Sequence, residues 1–343
     1  MGLTPTQVKQ VREELITCKN PLFLFHDDPD GLCSFLLLYR YIREGHGIAV
    51  KSVPRIDEKF LRKVEEYSPD KIFIVDVAIV DQYFIDEVKR PVIWIDHHEP
   101  LDRAKVKYFN PRVKDPKKNV PATALCYQIT KNDLWIATVG CIGDWFVPDF
   151  YKEFAKQYPK LVDKKKKTAP EILFGTELGK LSRILSFMLK GKTGEVMRCV
   201  KTMTRISDPY EILEQKTPRG KFIYKKYEKI NTRYEHLLKS AIKNAGKDKF
   251  LVFMYSANEM SFTGDLSNEL LYRYPNKIII IGRKKDDELR MSLRSSKVII
   301  RDVLQKALLN VRGYGGGHEH ACGACVKEDD FNEFLEILRK EMG

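Results

Sequence analysis

The sequence predicts an α/β protein in three parts: a parallel-sheet domain, a basic helical connector and a smaller mixed α/β domain. Three observations predict this organisation. Short apolar runs alternate with helical patterns over the first 150 residues, the excess positive charge lies in residues 151–250, and strand-like patterns return after residue 250. Because apolar strands separated by helices are typical of a parallel sheet covered on both faces, we assign residues 1–160, 161–246 and 247–343 to the three parts.

The composition is that of a folded protein. Hydrophobic residues make up 43% of the chain and aromatic residues 11%, which excludes a mainly disordered chain. No apolar run approaches the ~20 residues of a membrane-spanning helix, and no basic-then-apolar pattern at the N-terminus predicts a secretory signal. Seven cysteines, an odd number scattered along the chain, favour reduced thiols in the cytoplasm.

Four apolar runs in the first part are typical of buried strands. They cover residues 22–25, 48–50, 71–75 and 92–95, and a helical pattern over residues 32–42 separates the first two. Ligands of such sheets bind beyond the carboxyl ends of the strands. We therefore expect the functional side chains in the segments that follow these runs.

Carboxylates and imidazoles follow the predicted strand ends. In chain order, with the last after the apolar stretch 136–142, they are His26, Asp27, Asp28, Asp30, Asp76, Asp96, His97, His98 and Asp144. Any one aspartate alone is best explained as a turn or cap residue, but separate clusters at successive strand ends are not. Oxygen-rich sets with imidazoles suit a pair of Mn²⁺ ions, or Mg²⁺.

The middle part is basic and helical. Residues 151–250 carry 25 basic and 11 acidic side chains, a net charge of +14, whereas the whole chain carries +13. Apolar residues three or four apart predict an amphipathic helix that ends near residues 244–246: Ile223, Tyr227, Ile230, Tyr234, Leu237 and Ala241. Most of its basic residues lie off this stripe. Both a polyanion partner and a merely solvated basic surface fit the charge.

The last part returns to mixed structure. Strand patterns cover residues 250–254, 277–281 and 289–294, a glycine-rich loop is predicted over residues 313–318, and a helix over residues 329–342. The glycines would let the backbone approach an anion closely.

The order of the motifs carries a family resemblance. His-x-Asp-x-Asp-Gly, Asp, Asp-His-His and Gly-Asp resemble the DHH phosphoesterase superfamily, and Gly-Gly-Gly-His with an upstream Ser-Leu-Arg-Ser resembles its DHHA1 companion domain. The resemblance is closest to archaeal RecJ-like nucleases. It implies a Rossmann-like DHH domain, a DHHA1 domain, an active site between them and hydrolysis with two Mn²⁺ ions.

The resemblance implies a set of metal ligands, which are His26, Asp28, Asp30, Asp76, His97 and Asp144. Asp28 would bind one ion, Asp30 the other, and Asp76 both. The first motif leaves open whether His26 or Asp27 is the remaining ligand. The spacing of two residues between His26 and Asp28, as in archaeal RecJ-like proteins, favours His26.

The resemblance also implies roles around the reacting phosphate. Asp76 and His97 would be catalytic as ligands, Asp96 would orient His97, and His98 would stabilise charge on the phosphate. The implied substrate-binding residues are His98, Arg290, Arg294, Gly315, Gly316, Gly317 and His318. His318, His320, Cys322 and Cys325 also resemble a zinc site, but their cramped spacing argues against one.

The function implied is a single-strand-specific exonuclease acting on DNA or RNA. The alternatives are an oligoribonuclease or a cyclic or linear dinucleotide phosphodiesterase, and, from another class, a non-catalytic subunit of a replication or repair complex. Single-stranded nucleic acid or short oligonucleotides are the expected partners, with a replication or repair protein as a further one and no membrane. The sequence leaves open the polarity, the substrate length and the oligomeric state.

Overall fold

The computed structural model describes residues 2–51, 55–256, 258 and 260–342. The chain divides into two compact units, Met1–Tyr227 and Glu228–Gly343. The division falls within one long helix, Pro218–Lys243 (α12), which therefore contributes residues to both units. The sequence-based boundaries at residues 160 and 246 stay a prediction.

The first unit is built on a five-stranded parallel sheet with strand order β2-β1-β4-β6-β7. Its strands are Pro21–His26 (β1), His46–Val50 (β2), Lys71–Val75 (β4), Val92–Ile95 (β6) and Lys107–Phe109 (β7). Two short strands, Arg55–Ile56 (β3) and Ile79–Val80 (β5), pair in parallel as a second sheet. The prediction of a parallel sheet from the four apolar runs is confirmed.

Helices account for most of the rest of the first unit. They are Pro5–Ile16 (α1), Pro29–Ile42 (α2), Leu61–Tyr67 (α3), Gln82–Glu87 (α4), Ala122–Thr130 (α5), Leu134–Gly143 (α6), Tyr151–Gln157 (α7), Ala169–Gly175 (α8), Glu177–Met188 (α9), Thr193–Met203 (α10) and Pro209–Leu213 (α11). The 3₁₀ turns Glu58–Phe60, Pro111–Val113 and Pro159–Leu161 lie between them.

Both faces of the parallel sheet are covered, which explains the unbroken apolar runs. Leu22 and Leu24 of β1 join a core with Val64 of α3 and Phe84 of α4. The residues between them face the other way, and Phe23 contacts the ring of Phe35 in α2 at 5.6 Å between centroids. Since alternate residues of a strand point to opposite faces, a strand buried on both sides has no polar positions.

The strand order places a topological switch between β1 and β4. The strand after β1 in the sequence, β2, pairs on one side of β1, and β4 pairs on the other. The connecting segments therefore diverge at the carboxyl ends of these two strands and leave a crevice there, where ligands of open α/β sheets bind. The register sets Phe25 beside Val75 and Val75 beside Ile95, so these three strands end at the same level.

The apolar stretch before Asp144 is not a strand, which corrects the expectation that Asp144 follows a strand end. Residues 136–142 belong to α6, and every residue from Leu134 to Ile142 is buried. A helix that is apolar on all sides has no periodic polar face, so the pattern alone does not separate it from a buried strand.

The amphipathic pattern of α12 is confirmed. Its stripe residues, from Ile223 to Ala241, are all buried. Among its basic residues, Lys221, Lys225, Lys229, Arg233 and Lys239 are exposed, whereas Lys226 is half-buried and pairs with Glu195 at 2.7 Å. Along the described part of the chain, no helix combines the length and the apolar character needed to cross a membrane.

The second unit contains a mixed sheet with strand order β11-β12-β10-β9-β8. Its strands are Phe250–Tyr255 (β8), Ile278–Lys285 (β9), Glu288–Arg294 (β10), Gly313–His318 (β11) and Ala321–Lys327 (β12), and only β8 and β9 pair in parallel. The helices are Thr263–Arg273 (α13), Ile300–Leu308 (α14) and Phe331–Met342 (α15), the last preceded by a 3₁₀ turn, Glu328–Asp330.

The glycine-rich segment is an edge strand rather than a loop, which corrects the sequence-based expectation. It pairs with β12 along its whole length. A side chain at Gly315 would place Cβ 2.6 Å from the carbonyl oxygen of Gly323, and Gly317 has a φ of 144°. The neighbouring backbone therefore requires glycine at both positions, although glycine is uncommon within strands.

All seven cysteines of the chain are free and buried. Burial raises the pKa of each thiol, to about 12 for Cys18 and about 11 for Cys199.

Candidate metal centre

Asp76 lies at the centre of a cluster of carboxylates and imidazoles at the carboxyl ends of β1, β4 and β6. It follows β4 directly, and its backbone N–H donates to the carbonyl oxygen of Ile95 at 3.0 Å. Its φ of 56° turns the chain sharply at the strand end, a conformation that costs free energy for any residue other than glycine. The side chain lies beneath the surface, where Asp76 is 1% exposed.

Neither carboxylate oxygen of Asp76 has a hydrogen-bond partner among the described residues. The nearest groups are imidazole nitrogens: Nε2 of His97 lies 3.3 Å from Oδ1, and Nδ1 of His26 lies 3.6 Å from Oδ2. A buried carboxylate without partners is strongly destabilising unless another charge compensates it. The observation fits a site at which divalent cations would compensate the charge of Asp76.

Three groups of residues could each hold a metal ion, because the ligand atoms within each group lie within 4.8 Å of one another. They are Asp76, His97 and His98; His26, Asp28 and Asp76; and Asp30, His97 and Asp144. Asp76 belongs to two groups and His97 to two, so the groups form one continuous cluster. His26 belongs to one of them and Asp27 to none of those found in the described ranges. The choice of His26 as the ligand left open by the first motif stays a prediction.

The first motif is positioned by the start of α2. Asp28 has an extended backbone and caps the helix, its Oδ1 accepting from the N–H of Gly31 at 2.9 Å. Its other oxygen lies 2.9 Å from Nδ1 of His26. A Cβ at Gly31 would lie 2.4 Å from the carbonyl oxygen of His26, so glycine allows the helix to start directly against the end of β1.

Asp30 is held by the N-terminus of α5. Its oxygens accept from the backbone N–H groups of Ala122 at 2.9 Å and Thr123 at 2.7 Å. These donors and the helix dipole favour a negative charge. Oδ2 of Asp30 also lies 3.6 Å from Nε2 of His97, so this carboxylate links α2, α5 and the end of β6.

The two histidines after β6 have different partners, and one differs from the expected arrangement. Nδ1 of His97 lies 2.9 Å from Oδ1 of Asn119, whereas the carboxylate of Asp96 accepts from Nδ1 and the backbone N–H of His98 at 2.8 and 3.1 Å. The expectation that Asp96 orients His97 is therefore wrong. The backbone turn after β6 brings His98, not His97, back over the carboxylate.

A second layer of polar residues supports Asp96 and His98. The hydroxyl of Tyr108 donates to Asp96 at 3.4 Å, and Nδ2 of Asn110 donates to that hydroxyl at 2.8 Å and to the carbonyl oxygen of His98 at 2.9 Å. Sequence reasoning missed Asn119, Asn110 and Tyr108. One indication of them was present in the sequence, namely that these polar residues follow the Asp-His-His motif within about 20 positions.

The like charges of the cluster shift its titration. Burial raises the pKa of Asp144 to about 7 against the opposing influence of His97. Burial, with Asp76 and Asp144, raises the pKa of Asp30 well above its usual value. Burial also raises the pKa of Asp76, but His26 and His97 outweigh this and lower it. The carboxylates compete for positive charge, and a bound cation would favour the ionised form of all of them.

The histidines show the complementary behaviour. Burial lowers the pKa of His26 and of His97, but the surrounding carboxylates raise both well above their usual value. In the absence of a metal ion, the imidazoles thus supply the positive charge that the carboxylates need. Together, the oxygens of Asp76 that accept no hydrogen bond, the oxygen and imidazole donors and the excess of acid fit a pair of Mn²⁺ or Mg²⁺ ions.

The predicted substrate-binding residues of the second unit divide between two faces of its sheet. The cross-strand register places Arg290, Arg294, Gly316 and His318 on one face, and Gly315 and Gly317 on the face that carries the core. Arg294 is held there by Oδ1 of Asn268 at 2.8 Å. Cys322 and Cys325, three positions apart on β12, lie on opposite faces, so the strand separates these two candidate zinc ligands.

Two family models match two separate segments of the chain. The model of the DHH family N-terminal domain matches residues 22–165, and that of the DHHA1 domain matches residues 247–343. Among curated proteins, no sequence is a significant match.

Solved structures show the same fold at low sequence identity. RecJ from Thermus thermophilus in complex with Mn²⁺ is 16% identical with a TM-score of 0.68, covering 98% of this chain and 54% of that one. This chain thus spans about half the length of that relative. An exonuclease RecJ bound to manganese is 16% identical with a TM-score of 0.63, and the match covers 98% of this chain and 94% of that one. The DHH domain of a member of a ribosomal protein family is 16% identical with a TM-score of 0.68, and the match covers 98% of this chain and 89% of that one.

Proposed function

Because the chain belongs to the DHH family of phosphoesterases and carries a DHHA1 domain, we propose that it is a metal-dependent exonuclease that acts on single-stranded DNA or RNA. The observation that carries the proposal is Asp76, a buried carboxylate that lies among three histidines and whose two oxygens accept no hydrogen bond from the described residues. Buried carboxylates usually accept hydrogen bonds as well as forming ion pairs, whereas the oxygens of this central carboxylate accept none among the described residues.

We assign the ligands from the three groups. His26, Asp28 and Asp76 would hold one ion, and Asp30, Asp76, His97 and Asp144 the other. When bound, two such ions would activate a water molecule and neutralise charge on the phosphate that it attacks. The chain itself fixes the ligands: α2 presents Asp28 and Asp30, α5 holds Asp30, and Asn119 orients His97.

His98 is the residue that we assign to the substrate phosphate. Asp96 accepts from its Nδ1, which leaves Nε2 as the nitrogen available to the substrate. Asp96 is fully buried, and its hydrogen bonds to His98 and Tyr108 keep the imidazole in one orientation. A charge-assisted hydrogen bond from His98 would stabilise the phosphate as negative charge develops on it.

Nucleic acid is the substrate class that the charged surfaces favour. The exposed basic face of α12 suits a phosphate backbone, and Arg290 and Arg294 share a face of the DHHA1 sheet with Gly316 and His318. We propose that the arginines bind the end of the strand. The seven free thiols are in keeping with the reducing cytoplasm, where we place the protein.

The first test removes the central carboxylate. In Asp76→Asn, the loss of one charge between the two ion sites should lower kcat/KM for a 3′- or 5′-labelled oligonucleotide with Mn²⁺ by roughly a thousandfold, since several kcal/mol of charge stabilisation are lost. Asp102→Asn, an exposed carboxylate outside the cluster, serves as the matched control. Equal activity of both variants and the wild type would sink the proposal.

A length series of DNA and RNA substrates separates the alternatives. Cleavage from one end of long strands supports the exonuclease and gives its polarity. Activity that falls steeply above two nucleotides favours an oligoribonuclease or dinucleotide phosphodiesterase. Failure to cut any substrate, with Mn²⁺ bound, favours a non-catalytic subunit of a replication or repair complex.

A further inference from the structure

Trp145 differs from the other two tryptophans of the chain. Trp94 and Trp135 are 0% and 2% exposed, whereas Trp145 is 37% exposed. It follows Asp144 directly, so its Cα lies about 3.8 Å from that of a proposed metal ligand. A tryptophan ring carries a large apolar area, so its exposure beside the metal centre is not explained by packing of the fold.

The backbone at Trp145 is strained. Its φ is 59°, and its N–H donates to the carbonyl oxygen of Ile142 at 3.1 Å as the chain leaves α6. This left-handed conformation costs an L-residue roughly 1 kcal/mol or more, and glycine or asparagine usually takes it at the end of a helix. A bulky aromatic residue in that position gains nothing from the turn itself. Such strain clusters at ligand-binding sites.

The ring of Trp145 contacts Phe174, a residue that lines a cleft in the same unit. Its centroid lies 6.3 Å from that of Phe174, with the rings at 76°. Phe174 lines a cleft of about 470 Å³ together with Lys160, Thr176 and Glu177. This volume is in the range of small-ligand sites, and an aromatic ring suits a base. The charged side chains of the lining are Lys160, Asp163 and Glu177.

We propose that Trp145 stacks on the nucleobase next to the scissile phosphate, and that the following nucleotide enters the cleft at Phe174. The inference rests on the proposed function and adds to it a binding site for unpaired bases. Stacking on an aromatic face accepts every base, so Trp145 would confer a preference for unpaired strands without reading their sequence. A duplex end would have to open before its base reached the ring.

The test uses two labelled pentanucleotides, with Ca²⁺ in place of Mn²⁺ to slow hydrolysis. One is intact, and the other lacks the base of its 5′-terminal and of its 3′-terminal nucleotide. The wild type should bind the intact ligand roughly five- to a hundredfold more tightly than the abasic one. Trp145→Ala should bind both equally, at the affinity of the abasic ligand. Trp145→Phe should keep part of the difference, and Tyr83→Ala, which removes another exposed aromatic ring, should behave like the wild type.

Tryptophan fluorescence supplies an independent measurement on the unmodified protein. Because Trp94 and Trp135 are buried, the emission that changes on adding the intact ligand should come from Trp145 and disappear in Trp145→Phe. With Mn²⁺, Trp145→Ala should raise KM for the intact oligonucleotide and leave kcat within a few-fold.

Two failures are distinguishable. If the wild type neither binds nor cuts any oligonucleotide, the proposed function is wrong, and the stacking site, which depends on it, is wrong too. If the wild type binds and cuts, but Trp145→Ala distinguishes the intact from the abasic ligand as the wild type does, only the stacking site is wrong. A variant that loses affinity for both ligands by the same factor also overturns it, since that loss would be structural.

Discussion

Gly31 shows how closely the first motif is built into the backbone. In Gly31→Ala, the new Cβ would lie 2.4 and 2.7 Å from the carbonyl oxygen and the nitrogen of His26. Because backbone cannot yield as a flexible side chain does, we expect α2 to shift, Asp28 to leave its position beside His26, and the free energy of unfolding to fall by about 1–3 kcal/mol.

Urea unfolding and Mn²⁺-dependent hydrolysis measure the two effects. Gly264→Ala is the matched control, since nothing lies within 4 Å of a Cβ there and the residue is helical. It should be neutral or slightly stabilising. If Gly31→Ala hydrolyses and unfolds like the control, the close approach of α2 to β1 is not required.

The residue scale also sets the limit of what the sequence predicts. The motifs identified the cluster, because strand ends in a parallel sheet converge whatever the loops do. The partner of each histidine did not follow from them. Whether Asp96 contacts His97 or His98 depends on the turn after β6, and Asn119 comes from a loop 22 residues beyond His97.

At the scale of elements, periodic segments were predictable and aperiodic ones were not. α12 alternates apolar and basic positions with helical spacing, and all six residues of the predicted apolar stripe are buried. α6 has no polar face, and β11 is rich in a residue that disfavours strands, so local preference gave the wrong assignment for both. Tertiary contacts decide these two elements.

The exposed face of α12 carries a prediction. Lys225, Lys229 and Arg233 recur every four residues and are exposed, so replacing all three by Gln removes charge without disturbing the core. Binding of a long single strand should weaken. The negative slope of the logarithm of the binding constant against the logarithm of the salt concentration should become shallower by about 0.7 for each phosphate that the helix no longer neutralises. Hydrolysis of a dinucleotide should change little.

The control replaces Lys9, Lys59 and Lys306, which have exposed side chains elsewhere, and so removes the same charge. Salt titrations of binding, measured by fluorescence anisotropy, compare the two triple variants. If long-strand binding and dinucleotide hydrolysis fall equally in the α12 variant, the helix is not a binding surface for the strand.

At the scale of the whole molecule, Asp70 in the first unit should make the free energy of unfolding depend on pH in the acid range. It accepts from the thiol of Cys18 at 2.8 Å and from the N–H groups of Lys19 at 2.7 Å and Asn20 at 2.9 Å, which fixes the segment before β1. Burial raises the pKa of Asp70, but these donors outweigh it and lower the pKa to about 2.

A carboxylate whose pKa is lower in the folded than in the unfolded state stabilises the fold above its unfolded pKa. For Asp70, this stabilisation should be complete above about pH 4 and disappear as the pH falls towards 2. Asp70→Asn should therefore lose about 1–2 kcal/mol at pH 7 relative to the wild type, a difference that narrows below pH 4. Urea unfolding at pH 7, 4.5 and 3 measures it. A difference that stays constant down to pH 3 would show that the charge is not responsible.

The buried thiols have a practical consequence for studying the molecule. Maleimide and iodoacetamide reagents attack the thiolate, and a buried thiol with a raised pKa offers them almost none at neutral pH. One cysteine introduced on an exposed position would then react far faster than the seven native ones. Fluorescent or spin labels could thus be attached at a chosen site without first removing any native cysteine, which keeps the packing around Cys33 and Cys141 intact.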